Sequence, residues 1–254
     1  VLLLMLGAHG SALADVVPGA LALAGIAVTG VLLVVDLKQP RRFHYLFLRP
    51  QWRSWLALGA QCINLAALVA LAFLVASLTG ADGARDVLRW VMIPAGALLA
   101  LYTAFLFGQC EGRDLWQSPL LAPHTLINAL IAGASALSIA ALAVSAPPAL
   151  GRALGWVLLG ALVLSAAIIA LDVYGHHPTA QAQRAARNLR RDRFAARFWA
   201  GGVALGLVAP GALAIAFLVA GGSILMALAG VAALAGLWCY EDAWVRAGQS
   251  VPLS

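Results

Sequence analysis

From Val16 to Val35 the chain carries no acidic or basic side chain, and the same is true from Ser54 to Ala81. Uncharged stretches of this length restrict the fold more than any other feature. A helix needs ~20 mostly apolar residues to cross the ~30 Å hydrocarbon core of a bilayer, and the whole chain divides at about that length. Apolar segments run over residues 1–13, 17–36, 55–78, 87–108, 121–146, 152–173, 198–220 and 222–240. In lipid every backbone N–H and C=O must be paired within the protein, which leaves helices or a closed barrel. The runs lack the two-residue alternation of barrel strands, so they are read as helices. The expected fold is all-α, a polytopic membrane protein of about eight transmembrane helices in two four-helix bundles, residues 1–119 and 120–254.

Composition supports this and excludes a soluble domain. Of 254 residues 63% are hydrophobic and 10% charged, whereas soluble domains carry ~25% charged residues, so too few polar groups exist to cover a water-facing surface. The excess of 16 Lys and Arg over 10 Asp and Glu does not indicate nucleic acid, because the charges sit in short stretches between apolar runs, as loop charge does. Cys62, Cys110 and Cys239 lie far apart, without the close spacing of an iron–sulfur or zinc site; the chain is expected to hold no cluster of its own. Its apolar start lacks the basic region of a signal peptide and reads as the remainder of a first spanning helix.

Punctuation agrees with the segments. Pro147-Pro148 breaks the chain after the fifth, and Gly221-Gly222-Ser223 leaves so little loop that the last two must form a hairpin. Alternating the segments across the bilayer puts all the Lys and Arg on one face except Arg85, Arg89 and Arg152. The positive-inside rule then places that face, with both termini, in the cytoplasm, and the protein in the cytoplasmic (inner) membrane.

Ionisable residues within a membrane are costly and point to function. Here Asp36, Glu111, Asp172 and Glu241 are read at helix ends on the basic face, and the bilayer centre is nearly uncharged, with Ser135, Ser138 and Ser165 its main polar groups. That pattern predicts no autonomous proton channel. Haem ligation commonly needs paired histidines inside the bundle; His9, His44, His124, His176 and His177 sit toward helix ends and loops, so no haem is expected. The arginines from Arg184 to Arg197 have the spacing of an amphipathic helix on an anionic lipid surface. The closing segment from Tyr240 to Ser254 is expected to leave the membrane and dock on a partner.

Two stretches are more specific. One runs from Asp36 through Lys38, Pro40, Arg41, Arg42, Phe43, His44 and Tyr45 to Arg49-Pro50, followed by Ser54-Trp55 and Gly59-Ala60. The other runs from Tyr102-Thr103-Ala104 through Gly112-Arg113-Asp114-Leu115-Trp116 to Ser118-Pro119. Together they resemble the NrfD/PsrC-like membrane subunits of the polysulfide reductase family, in which an acidic residue ends the second helix, a basic loop closes on Arg-Pro, and a helix-four Tyr precedes an Arg…Leu-Trp loop. The resemblance implies a quinone-reactive membrane subunit of a respiratory oxidoreductase, exchanging electrons between the quinone pool (menaquinone or ubiquinone) and an iron–sulfur partner subunit. A molybdenum or tungsten bis-pterin catalytic subunit commonly completes such complexes, and the chain itself would carry no metal redox centre.

Tyr102 matches the family tyrosine that hydrogen-bonds a quinone carbonyl; six residues before Gly108, it would lie ~9 Å below the interface. Other family contacts fall early in helix one, upstream of Val1. Asp36 and Glu111 are candidates for proton exchange with water, or alternatively pair with neighbouring arginines. Arg41, Arg42, Arg49, Arg113 and Trp116 would face the partner or orient the loops, and positive-inside charge accounts for the arginines nearly as well. In the best-known relatives that face is periplasmic, whereas the basic residues here predict a cytoplasmic partner. The readings weighed against this one are a passive membrane anchor of a redox complex and a small-solute transporter; the latter would need polar groups or broken helices near the midplane.

Overall fold

A computed structural model of the chain describes residues 10–36, 38–39, 43–45, 51–144 and 146–253. The described residues contain helices and no strands. Seven helices are long and apolar enough to cross a membrane, as expected of a polytopic membrane protein. The segment expected over residues 1–13 lies mostly outside the described residues. The chain separates into two compact units, Val1–Leu106 and Phe107–Ser254.

In the first unit a one-turn helix, α1 (Ala12–Asp15), leads into α2 (Val17–Asp36); α3 (Trp55–Thr79) and α4 (Asp82–Gly108) follow. Gly19 of α2 lets the helix approach Phe73 and Leu74, where an added Cβ would sit 3.1 and 3.2 Å from side-chain carbons; Phe73 is wholly buried. Gly80 ends α3 in the left-handed conformation, φ 72°, which a residue with a Cβ rarely adopts, and α4 begins two residues later. The first turns of α4 are anchored ionically. Asp15 and Arg89, 7% and 5% exposed, form a salt bridge, and Arg85 lies 3.8 Å from the same carboxylate. Asp82 and Asp86 pair with Arg85 and Arg89 at 2.7 and 2.9 Å. Arg85 and Arg89 thus have carboxylate partners on the face poor in basic residues.

The second unit holds a 3₁₀ turn, Asp114–Gln117, then α5 (Leu121–Ala140), α6 (Pro148–Tyr174), the surface helix α7 (Ala180–Arg190), α8 (Arg197–Ala220) and α9 (Ser223–Gln249). The four long helices close a ring in which α5 packs on α6 and α9, and α8 on the same two. Small residues let them meet. At the α8–α9 crossing Gly206 lies against Gly236 so closely that a Cβ on Gly206 would stand 2.9 Å from the Gly236 Cα, and one on Gly230 would stand 2.7 Å from the Ser135 carbonyl oxygen of α5. Close backbone approach of this kind is how membrane helices gain packing energy when lipid competes for apolar contacts. The expected hairpin turn is present, with Gly221 and Gly222 both at positive φ.

The helix α8 is wound in two ways: Arg197–Val208 as a π-helix and Ala209–Ala220 as an α-helix. Its buried residues are Phe198, Gly202, Gly206, Pro210 and Ala214, every fourth position. A uniform α-helix, at 3.6 residues per turn, would rotate such a series steadily off its partner. The wider π turn counteracts that drift and keeps the seam facing α9. Pro210 fits the changeover, since it has no N–H to donate and its ring crowds the preceding turn.

Expected boundaries move at the fifth and last segments, and the surface helix packs differently from expectation. The fifth segment stops at Ala140 rather than 146, because Pro147 and Pro148 disfavour helix in the residues just before them. The last helix runs to Gln249, nine residues past its expected end. Finally α7 does not lie on lipid by its apolar side: Ala182, Ala185, Ala186 and Leu189 are buried against the protein, α9 and the 3₁₀ turn included, leaving Arg184 and Arg187 outward. Its N-terminus is capped by Thr179, whose hydroxyl accepts from the Ala182 N–H.

Candidate functional site

In the first unit Tyr102 lies on α4 opposite Gly59 of α3. The Cδ2–Cε2 side of the ring lies against the glycine, since a Cβ there would come 2.5 Å from Cδ2 and 2.7 Å from Cε2. One turn nearer the loops, Trp55 stacks on Phe105, ring centroids 4.4 Å apart and 12° from parallel. Beside them is a small cleft of about 50 Å³, lined by Leu33 and Val34 of α2, Leu56, Gly59 and Ile63 of α3, and Tyr102. Its walls are apolar, with Tyr102 among them. Asp36, two residues beyond Val34, ends α2 and is exposed.

The residues expected to face a partner fare differently. Arg41, Arg42 and Arg49 lie outside the described residues. Arg113 turns toward its own chain: Nη1 donates to the carbonyl of Val251 at 2.8 Å and that of Gly248 at 3.3 Å, covering acceptors that the end of α9 leaves open. Trp116 is a correction. It is 8% exposed, edge-on to Phe107 at 5.0 Å and stacked near Trp244 at 6.5 Å, and its indole rests on Gly248. An aromatic ring of this size is drawn into the unit's own apolar interior. Glu111 is exposed in the turn after α4.

The tail is corrected as well. Trp244, expected to dock on a partner, is 2% exposed and donates Nε1–H to Asp172 at 3.2 Å. Asp172 also accepts from the Ser118 hydroxyl at 2.5 Å, so this carboxylate joins the loop, α6 and α9. Glu241 sits within α9 rather than at its end and accepts from the Asn128 amide at 2.6 Å. His124 packs edge-on to Tyr240, 5.2 Å between centroids. The sequence marked these polar residues but not their pairing. Among the described residues no group of three or more His, Cys, Asp or Glu is placed to hold a metal.

The comparison with known families spans both loop stretches, the Tyr102 cleft and the long apolar helices. A family model described as polysulphide reductase, NrfD, matches residues 4–252. The chain belongs to the NrfD family. It is a multi-pass membrane subunit of the polysulphide reductase type. No curated protein matches the chain significantly. Within the NrfD pattern, Gly59 is the residue whose role the sequence does not disclose: its contact with Tyr102 depends on α3 and α4 lying side by side.

Proposed function

We propose that this NrfD subunit reacts with the quinone pool at the Tyr102 cleft and exchanges electrons with an iron–sulfur partner subunit, itself joined to a molybdenum or tungsten bis-pterin enzyme. The observation that carries the reading is the seating of Tyr102 on Gly59 at the edge of an apolar cleft that includes α2 and α3. These residues fit a quinone head, which is a flat apolar ring with carbonyl acceptors. Bound there, a quinone would supply two-electron, two-proton redox chemistry.

The protein's own contribution is binding, orientation and proton traffic. The Tyr102 hydroxyl donates a hydrogen bond to a carbonyl acceptor, worth ~0.5–1.5 kcal/mol net. Leu33, Val34, Leu56 and Ile63 exclude water from the ring faces, which strengthens that bond. The volume of the cleft is smaller than a whole head, so the remainder of the ring lies toward lipid, where the tail belongs. Asp36, exposed at the end of α2 within a turn of the cleft wall, exchanges protons with the aqueous side, and Glu111 is the second candidate. The basic face is cytoplasmic by the positive-inside rule, and Arg41, Arg42 and Arg49 meet the partner there.

The test is Tyr102→Phe in the purified complex. Quinol-linked turnover should fall about tenfold, equivalent to ~1.4 kcal/mol, while activity with a soluble electron acceptor at the partner is kept. Undiminished quinol turnover would remove Tyr102 from the reaction. A purified complex holding no quinone would favour a passive anchor.

A further inference from the structure

A cavity of the second unit lies at the opposite ends of its helices from the Asp114–Gln117 turn. It occupies about 590 Å³ between the starts of α6 and α9 and the end of α8. Leu154, Phe217 and Met226 form apolar walls, and Arg152 and Ser138 contribute polar groups. Its mouth is on the face poor in basic residues, at the level of the Gly221-Gly222 turn.

Arg152, in the second turn of α6, is exposed at the cavity, where α9 also begins. Among the described residues no carboxylate pairs with it; its guanidinium reaches the Leu218 carbonyl at 3.4 Å. Arg85 and Arg89, the other basic residues on this face, are each matched by an aspartate. Asp172, the acidic residue of α6, is twenty residues further along the helix, ~30 Å at 1.5 Å per residue and well beyond the ~8 Å screening length of physiological salt. The site therefore presents a cation with no carboxylate partner among the described residues, beside the apolar walls of a cavity.

We propose that this cavity binds an anionic glycerophospholipid, with its phosphate on Arg152 and an acyl chain along Leu154, Phe217 and Met226. An anionic lipid matches the charge better than a zwitterionic one, which brings its own cation beside the phosphate. A guanidinium also suits a phosphate geometrically, because two N–H groups can donate to two oxygens. A free phosphate would satisfy Arg152 but leave the apolar volume unfilled, so the two sources of the same anion are separable.

The experiment uses the full chain, purified in detergent and stripped of lipid, and measures binding by native mass spectrometry and thermal unfolding. Phosphatidylglycerol, phosphatidylcholine and inorganic phosphate are the probes. Arg152→Gln should weaken phosphatidylglycerol binding about tenfold and leave phosphatidylcholine little changed, whereas Arg184→Gln on the opposite face should alter neither. Gly151→Leu, which fills the cavity without touching the charge, should weaken both lipids, and it decides the matter if Arg152→Gln fails to fold. Equal phosphatidylglycerol affinity in the parent chain and Gly151→Leu would overturn the proposal. So would equal losses in Arg152→Gln and Arg184→Gln, or full competition by inorganic phosphate.

Discussion

Replacing Gly59 by alanine should disturb Tyr102 through a single added methyl group. The new Cβ would stand 2.5 Å from Cδ2 and 2.7 Å from Cε2 of the ring, about 1 Å inside the ~3.5 Å separation of unstrained carbons. Either the tyrosine leaves its rotamer or α3 and α4 part locally; such overpacking costs ~1–3 kcal/mol. Against this stands the helix-propensity gain of Gly to Ala, ~1 kcal/mol. Gly96→Ala, on the same helix as Tyr102 with nothing within 4 Å of its added Cβ, should show the gain without the clash. The two variants should thus differ in stability by about 1–3 kcal/mol, read by thermal unfolding of the purified protein. If Tyr102 serves the quinone reaction, a displacement of about 1 Å should also lower quinol-linked turnover of Gly59→Ala tenfold or more and leave Gly96→Ala active. Identical unfolding curves for the two variants would refute the steric reasoning. A difference in stability with equal turnover would refute only the role given to Tyr102.

Other perturbations test the packing of each unit. Trp244→Phe keeps an aromatic ring but removes the donor to Asp172 and part of a buried side chain, and should cost about 1–3 kcal/mol in thermal unfolding; combined with Ser118→Ala the loss should exceed the sum, because the carboxylate then loses both partners that hold it. Gly236→Ala forces a methyl group into the Gly206 backbone and should destabilise the second unit by about 3 kcal/mol, measured as a lower midpoint of unfolding in detergent. Asp15→Asn leaves Arg85 and Arg89 short of a counter-charge; breaking a buried pair costs ~3–5 kcal/mol, and the lower end is expected because Asp82 and Asp86 remain.

The helices were legible because lipid imposes a length and removes every alternative way to pair the backbone. The stretches from Val17 to Asp36 and from Trp55 to Thr79 were placed within a residue of their observed ends. The end of α9 was not, and the reason is local: Glu241, Asp242 and Arg246 look like the chain leaving a membrane, yet Asn128 receives Glu241, Arg197 pairs with Asp242, and Trp244 is buried on Asp172. Those partners lie tens of residues away, and periodicity does not report them. The same holds for Trp116, whose Arg…Leu-Trp context resembled a surface loop but whose neighbours are Phe107, Trp244 and Gly248. Tyr102 stands out in the sequence only through its motif. Its dependence on Gly59 required the two helices side by side, as did the ionic anchor at Asp15, whose partners begin seventy residues later.

The mixed winding of α8 bears on how this segment tolerates length changes over evolution. A wide turn is what an α-helix becomes when extra residues are inserted without rotating the helix beyond them. Deleting one residue between Arg197 and Val208 should tighten the coil toward an ordinary helix while Pro210 and Ala214 keep their orientation, whereas a deletion in Ala209–Ala220 would turn everything that follows. Indels in related chains should therefore be found in the first half of this helix and be rare in the second.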